Sequence, residues 1–420
     1  MVDKRPLRKD VTLLEGLFLK FKIMKRTCIL FFIISSVATF LFSQENKKII
    51  SDFQLEVEAE NRYFYETAGF IGQKNYFPSL SIKPEYSMEW NEGREFLNFT
   101  GFFRVDKDDE RTHFDIRELY YQKVKNKLEF SIGLKKIFWG VTESNHLVDI
   151  INQTDIVESF DGEKKLGQPM VQLSYSSKIG TFDMFYLPYF RKRTFSGVKS
   201  RLRFPNIIDT NDVRFESRAE EWHQDIALRW SHSFSIFDIG ISHFYGTGRE
   251  PVFNFTQTGI DIVYPIINQT GLDAQITHNA FLWKAETIYR TNDFQKFFAL
   301  TAGLEYTISN IKNTGIDVGI LAEYLYDERD EFTLNSLQND LFLGSRIAFN
   351  DIKSTQILLG SMLDVTNQSK IFSLEASRRI GNTIKIELES RLFSTISTNE
   401  LILANFSEDS FFRISVFKFF

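Results

Sequence analysis

The sequence predicts an all-β protein: a transmembrane antiparallel up-and-down β-barrel of about 18 strands (range 16–18), with short periplasmic turns and long extracellular loops. Three observations predict it. Stretches of about 10–14 residues recur with a period of two, apolar on one face and charged on the other, as tilted strands between lipid and a wet lumen require. The apolar faces carry aromatics near the strand ends, among them Tyr65, Trp90, Tyr245, Tyr289 and Phe349, where membrane interfaces favour them. The connections alternate between short and mostly longer, as in outer-membrane barrels. A soluble β-sandwich also alternates, but charges deep inside the strands suit a wet lumen better.

In order, strands are expected near 52–65, 78–90, 94–107, 112–124, 127–139, 168–177, 181–190, 221–232, 235–246, 271–278, 281–291, 295–308, 314–327, 338–350, 355–364, 369–380, 382–394 and 408–420. In the first, Phe53, Leu55, Val57, Tyr63 and Tyr65 oppose Glu56, Glu58, Glu60 and Arg62. In 221–232, Trp222, Ile226, Leu228 and Trp230 oppose His223, Asp225, Arg229 and Ser231. In 314–327, Ile316, Val318, Ile320, Tyr324 and Tyr326 oppose Asp317, Glu323 and Asp327. In 382–394, Ile384, Ile386, Leu388 and Leu392 oppose Lys385, Glu387, Glu389 and Arg391. The even count puts both chain ends on the short-turn rim. Segment 252–265 is left in a loop because Pro251 and Pro265 bracket it.

Composition agrees. Of 420 residues 44 are Phe and 15 Tyr, against 8 Pro and 1 Cys, which excludes collagen-like and disulfide-stapled chains and argues against disorder. At 25% charged residues, a bundle of transmembrane helices is excluded too. Cys28–Phe42 is apolar but too short to span a bilayer. It follows Lys25-Arg26 and ends at Ser43-Gln44, so 24–43 reads as a signal peptide and 1–23, ahead of Met24, as an upstream mis-start. The barrel is then 44–420, without cysteine. Residues 1–43 hold 8 of the 50 Lys/Arg and 3 of the 55 Asp/Glu, so the remainder is near −10. No basic excess points to nucleic acid.

No catalytic motif is present: no G-x-S-x-G, H-E-x-x-H, C-x-x-C or phosphate loop. His146, Asp149 and Ser144 share one loop, a triple that loops of this polarity supply by chance. Pairing Trp230 with Phe237 sets a hairpin register that places His223 and His243 on opposite faces, against a metal pair. The expectation is no enzyme, no metal and no cofactor. The charged inward faces carry more information. Candidate pore-lining or constriction residues are Arg104, Arg117, Lys135, Asp149, Asp155, Glu158, Asp225, Arg229, Lys284, Glu286, Glu323, Arg346, Glu387 and Arg391. They either pair across strands and fill the lumen structurally, or set a field across a wet pore. Segment 140–167 is the candidate constriction, its Val148, Ile150, Ile151, Ile156, Val157 and Phe160 packing on the wall. Its carboxylates are expected to face wall residues such as Lys135 and Arg229.

Several stretches resemble a porin-like group of Gram-negative outer-membrane proteins of poorly defined function. They are Phe138-Trp139-Gly140 with Asp149-Ile150-Ile151-Asn152, Gly271-Leu272-Asp273, Trp283-Lys284-Ala285-Glu286 through Tyr289-Arg290, Glu323-Tyr324-Leu325-Tyr326-Asp327, and Asn339-Asp340-Leu341-Phe342-Leu343-Gly344-Ser345-Arg346. The likeness runs from about 130 to 395; Gln153 stands where such proteins usually have Pro. The last strand, with Phe412, Ile414, Val416 and Phe420, is similar to the C-terminal signal of such barrels, Lys418 departing from it. The resemblance implies a barrel and a transport-like role, and names no substrate. The expected function is passive diffusion of small solutes; the alternative is a non-channel structural or export-accessory barrel. Expected partners are outer-membrane lipid, the barrel-assembly machinery through the strand ending in Phe420, and small solutes.

Overall fold

A computed structural model describes residues 48–256, 259–329, 337–400 and 402–420. The expected signal segment 24–43 and mis-start 1–23 lie outside the described residues.

In lipid, half-apolar strands leave no edge unpaired only when their sheet closes. Its first seven strands are β1 (Ile50–Phe64), β2 (Tyr76–Trp90), β3 (Glu95–Val105), β4 (His113–Lys125), β5 (Leu128–Lys135), β6 (Gln168–Ser177) and β7 (Gly180–Leu187). A short β8 (Val213–Phe215) precedes β9 (Asp225–Phe234) and β10 (Phe237–Thr247); β11 (Val252–Thr256) and β12 (Gly259–Tyr264) follow. The chain continues through β13 (Ile266–His278), β14 (Phe281–Thr291), β15 (Lys296–Ile308), β16 (Asp317–Asp327) and β17 (Asn339–Ala348). It ends with β18 (Gln356–Asp364), β19 (Lys370–Ile380), β20 (Ile384–Thr395) and β21 (Phe411–Phe419). Eighteen of these form one antiparallel sheet, each strand pairing with the next. It closes where β21 pairs with β1, from Glu56 opposite Phe419 to Phe64 opposite Phe411. The barrel strands are the 18 expected from the sequence, and the face assignments hold. Phe53, Leu228, Trp283, Ile320 and Leu359 are exposed outside, while Glu58, Glu60, Arg104, Asp225 and Glu286 are buried inside.

The largest differences in bounds and register are four. The fifth strand ends at Lys135, not 139, and the eighth barrel strand, β9, begins at Asp225, not 221, because Trp222 sits in a 3₁₀ turn (Glu220–Trp222). Trp230 faces Ile241, while Phe237 faces Phe234, so the turn is Ser235-Ile236, with Ser235 left-handed (φ 58°). A shift of four preserves the faces, and His243 stands opposite Leu228 on the outward face; His223 precedes β9, outside the ladder, with Nδ1 2.8 Å from Asp225 Oδ1. β13 starts at Ile266, directly after Pro265, whose missing N–H costs nothing outside the ladder. Segment 252–265 is indeed off the barrel, but as a hairpin joined in parallel to β8 in a separate three-stranded sheet. Lys418 is accommodated at the short-turn rim: its Nζ donates to Thr383 Oγ1 at 2.7 Å, keeping the charge out of the apolar belt.

On one rim six of nine connections exceed ten residues; on the other none of eight exceeds eight. Of three apolar cores among the described residues inside the wall, the smallest is Leu321, Leu325 and Phe342 on β16 and β17, and the two larger ones involve the long connections. One packs Trp139, Val148, Ile150 and Ile151 of connection 136–167 on inward Met170, Phe185, Ala227, Phe244 and Ile288. The other, at the long-loop rim, joins Phe190, Phe195, Leu202, Phe204, Tyr264, Leu403 and Phe406 to strand-end Phe64, Phe77, Phe393 and Phe411.

Candidate functional site

Connection 136–167 crosses the inside of the barrel, and the wall's buried carboxylates hold it there. At its base the Asn152 side chain donates to the carbonyls of Lys135 (2.9 Å) and Leu166 (2.8 Å) and accepts from Ile137 N (2.8 Å), tying both ends together. The chain then turns at Gly140, at φ 149°, where a Cβ would lie 3.0 Å from Glu286 Oε1. That approach lets Glu286 on β14 accept from Val141 N (2.7 Å), Thr142 N (3.0 Å), Thr142 Oγ1 (2.7 Å) and Val148 N (3.2 Å). Glu323 on β16 accepts from Glu143 N and Ser144 N, both at 2.8 Å. Glu143 in turn pairs with Arg346 on β17 at 2.6 Å and with Lys284 on β14 at 3.9 Å. The returning limb reaches the far wall: Asp155 meets Arg117 on β4 at 2.6 Å, Glu158 meets Arg104 on β3 at 3.0 Å, and Asp161 meets Arg391 on β20.

Ten of the fourteen candidate residues thus gather on this segment and its anchors; four do not. The two basic wall residues expected opposite its carboxylates are taken by nearer partners. Lys135 donates to Gln172 Oε1 (2.9 Å) and Ser131 Oγ (3.2 Å). Arg229 lies across Gly240, where a Cβ would meet its guanidinium, to reach Asp273 at 2.7 Å; its guanidinium lies 5.1 Å from the Trp139 ring of the segment. Asp225 pairs with Arg249 at 2.8 Å, and Glu387 with Lys385 at 2.5 Å on the same strand. Asp149 belongs to the segment, but its partner is Lys165 of the same segment at 3.2 Å. Among the described residues, no hydrogen bond or ion pair joins the segment to β18 or β19, whose inward face there is Leu358, Gly360, Met362, Ile371, Ser373 and Glu375, the last paired with Arg391 at 3.2 Å.

Electrostatics reinforce the anchoring. Burial would lower the His146 imidazole, but Glu163 at 3.3 Å and Glu286 at 3.8 Å raise it to about 10. Burial would raise Asp161, yet Arg391 holds it below the usual carboxylate range; burial prevails at Asp149, raising it despite Lys165. Two expected results follow. Glu286→Ala leaves buried N–H groups unpaired, a local loss on the order of 3 kcal/mol. Amides of Val141, Thr142 and Val148 should then exchange hydrogen about a hundredfold faster while Phe298 N, which donates to Glu328 Oε2 at 2.7 Å, is unchanged; unchanged exchange at the first three would contradict the anchoring. His146, raised on folding, contributes stability that is full below about pH 6.5. That contribution is lost as pH climbs through about 10. His146→Gln should flatten thermal stability over that window, and an unaltered pH slope would count against the pair.

Sequence reasoning missed a second set of charges, on the long loops. Arg111 reaches down to Glu60 at 2.7 Å and Asp106 at 2.8 Å. Arg201, fully buried, joins Asp409 (2.7 Å), Asn75 Oδ1 (3.0 Å) and the Glu66 carbonyl (3.0 Å). Connection 188–224 thereby spans the rim from β7 to the loops beside β1, β2 and β21. The clusters Arg191-Lys192-Arg193 and Arg201-Leu202-Arg203 were the available signal. Between this cap and the inward segment lies a cavity of about 420 Å³, bordered by His146, Asp161 and Glu163 below, Arg193, Arg203 and Phe204 above, and Met362 and Ile371 at the β18–β19 wall.

No family model and no curated protein matches the chain by sequence. Among solved structures it is similar to a BenF-like porin from Pseudomonas fluorescens Pf-5, with TM-score 0.52 and 9% identity over 89% of this chain and 98% of that one. It also aligns with a triple mutant of the Rhodopseudomonas blastica porin, with TM-score 0.43 and 12% identity over 88% and 100%. The fold is that of a porin-like closed antiparallel β-barrel.

Proposed function

We propose that this chain is an outer-membrane channel through which small solutes diffuse without energy. The observation that carries the reading is the inward segment. It crosses the lumen on ion-paired and hydrogen-bonded anchors at β3, β4, β14, β16, β17 and β20, and leaves the inward side chains of β18 and β19 without direct polar links to it. A barrel of this width, narrowed on one side by a held segment, gives a passage whose size and charge the protein sets. Because nearly every anchor charge has an opposite partner, weak charge selectivity is expected. The porin-like fold favours a channel over an enzyme. In this reading 24–43 is the export signal, Phe420 closes the strand that the assembly machinery recognises, and the exposed apolar belt meets lipid. The alternative, a non-channel structural or export-accessory barrel, draws on the aromatic core that closes part of the long-loop rim. Liposome swelling with purified protein separates them. Influx of arabinose above that of protein-free vesicles supports the channel; swelling at the protein-free rate supports the alternative.

A further inference from the structure

We infer that the cavity between the cap and the inward segment binds an amphiphilic carboxylate, a short aliphatic chain ending in one anionic head. This deepens the channel reading, since a solute entering from the long-loop rim would pass this cavity.

The charge pattern around the cavity points to an anion. Each bordering carboxylate is engaged: Glu250 by Arg290 (3.2 Å) and Arg329 (2.9 Å), Asp161 by Arg391, Asp149 by Lys165 (3.2 Å) and Glu163 by His146 (3.3 Å). Two bordering arginines have no ion pair among the described residues. Arg203 is only 7% exposed. Its Nη1 donates to the carbonyls of Phe204 (2.6 Å) and Pro205 (3.0 Å), while its Nε is buried without an acceptor. Arg193 donates from Nε to Gln153 Oε1 at 3.2 Å and makes no ion pair among the described residues. A third, Arg249, keeps one buried Nη2 unpaired beside its link to Asp225. Burial pulls the Arg193 and Arg203 guanidiniums below their ordinary range, with Glu250 opposing at Arg193 and Asp409 and Asp108 at Arg203. A buried cation without a counter-charge is costly, and an anion that accepts its free N–H groups removes that cost.

A planar, singly charged carboxylate head fits, because a guanidinium fork matches it in two parallel hydrogen bonds. An apolar remainder fits, because Ile150, Phe160, Leu202, Phe204 and Phe406 also line the cavity. At about 420 Å³ the cavity holds one such molecule.

Two measurements on the purified protein test this. In planar bilayers in chloride, hexanoate should produce transient blocks that acetate, hexanol and hexylammonium do not. In nanodiscs, 6,6,6-trifluorohexanoate should show a ¹⁹F line broadened beyond that in empty discs. Arg193→Gln and Arg203→Gln should each weaken both signals at least tenfold while leaving unblocked conductance within twofold, and Arg193→Lys should recover part of the affinity. Heat-modifiable migration reports folding. If Arg203→Gln fails it, Arg193→Gln, whose side chain makes one hydrogen bond, carries the test. Current without block or broadening keeps the channel and overturns this site. Broadening without current keeps the site and overturns the channel. Equal block by hexylammonium, or signals untouched by both substitutions, also overturns the site.

Discussion

Deletion of residues Asn145–Gly162 is expected to raise single-channel conductance several-fold and to shift the residual ion preference toward anions. The deleted stretch supplies Asp149, Asp155, Glu158 and Asp161, three of which pair with wall arginines. Its removal widens the lumen and leaves those arginines facing it, and width and local charge together govern passage. The barrel should survive, because each arginine keeps a carboxylate on the wall. Arg104 retains Glu58 at 2.8 Å, Arg117 retains Asp115 at 3.1 Å, and Arg391 retains Glu389 at 3.2 Å. Bilayer recordings with a salt gradient read both quantities. An unchanged conductance would mean that the segment does not border the conducting path.

The second large effect separates the two faces of one strand. Leu388 on β20 points outward between Ala376 and Ile414, while Glu387 points inward beside Lys385. Leu388→Arg should destabilise the barrel by roughly 2–4 kcal/mol, the cost of a cation near the bilayer midplane. Glu387→Arg loses one half-exposed ion pair in a wet lumen, where such pairs are worth about 1 kcal/mol or less. Unfolding titrations in lipid vesicles give both values, and equal losses would contradict the face assignment.

What could be read from the residues follows how far each feature reaches along the chain. The strands were legible because the choice between lipid and lumen is made locally: Glu56, Glu58 and Glu60 alternate with Leu55, Val57 and Ala59 whatever the rest of the chain does. The short turns and the even strand count followed from the same pattern. Register within a hairpin was less legible, since Trp230 opposite Phe237 and Phe234 opposite Phe237 both match apolar with apolar; the left-handed Ser235 decides between them. Charge pairing inside the lumen was least legible. Lys135 and Arg229 have nearer partners in Gln172 and Asp273, two strands' reach or less away, and the segment's carboxylates took Arg104, Arg117 and Arg391 instead. Those choices depend on where a 32-residue connection crosses the barrel, which no local period encodes. The same holds for Arg201, whose partner Asp409 stands 208 residues away.

Cys28 is the one cysteine of the sequence, so with Cys28→Ser as the parent a single thiol can report on the passage. Ser373 lies on the inward face of β19, beside Gly360 and on the wall strip that the inward segment leaves free of polar links. The most direct measurement is the bilayer current of Ser373→Cys before and after a water-soluble, charged methanethiosulfonate reagent. The channel reading expects a stepwise fall in conductance within the treated protein and none in the parent, reversed by a reducing agent. A current that the modified cysteine leaves untouched, or the lack of any current in the parent, would contradict it.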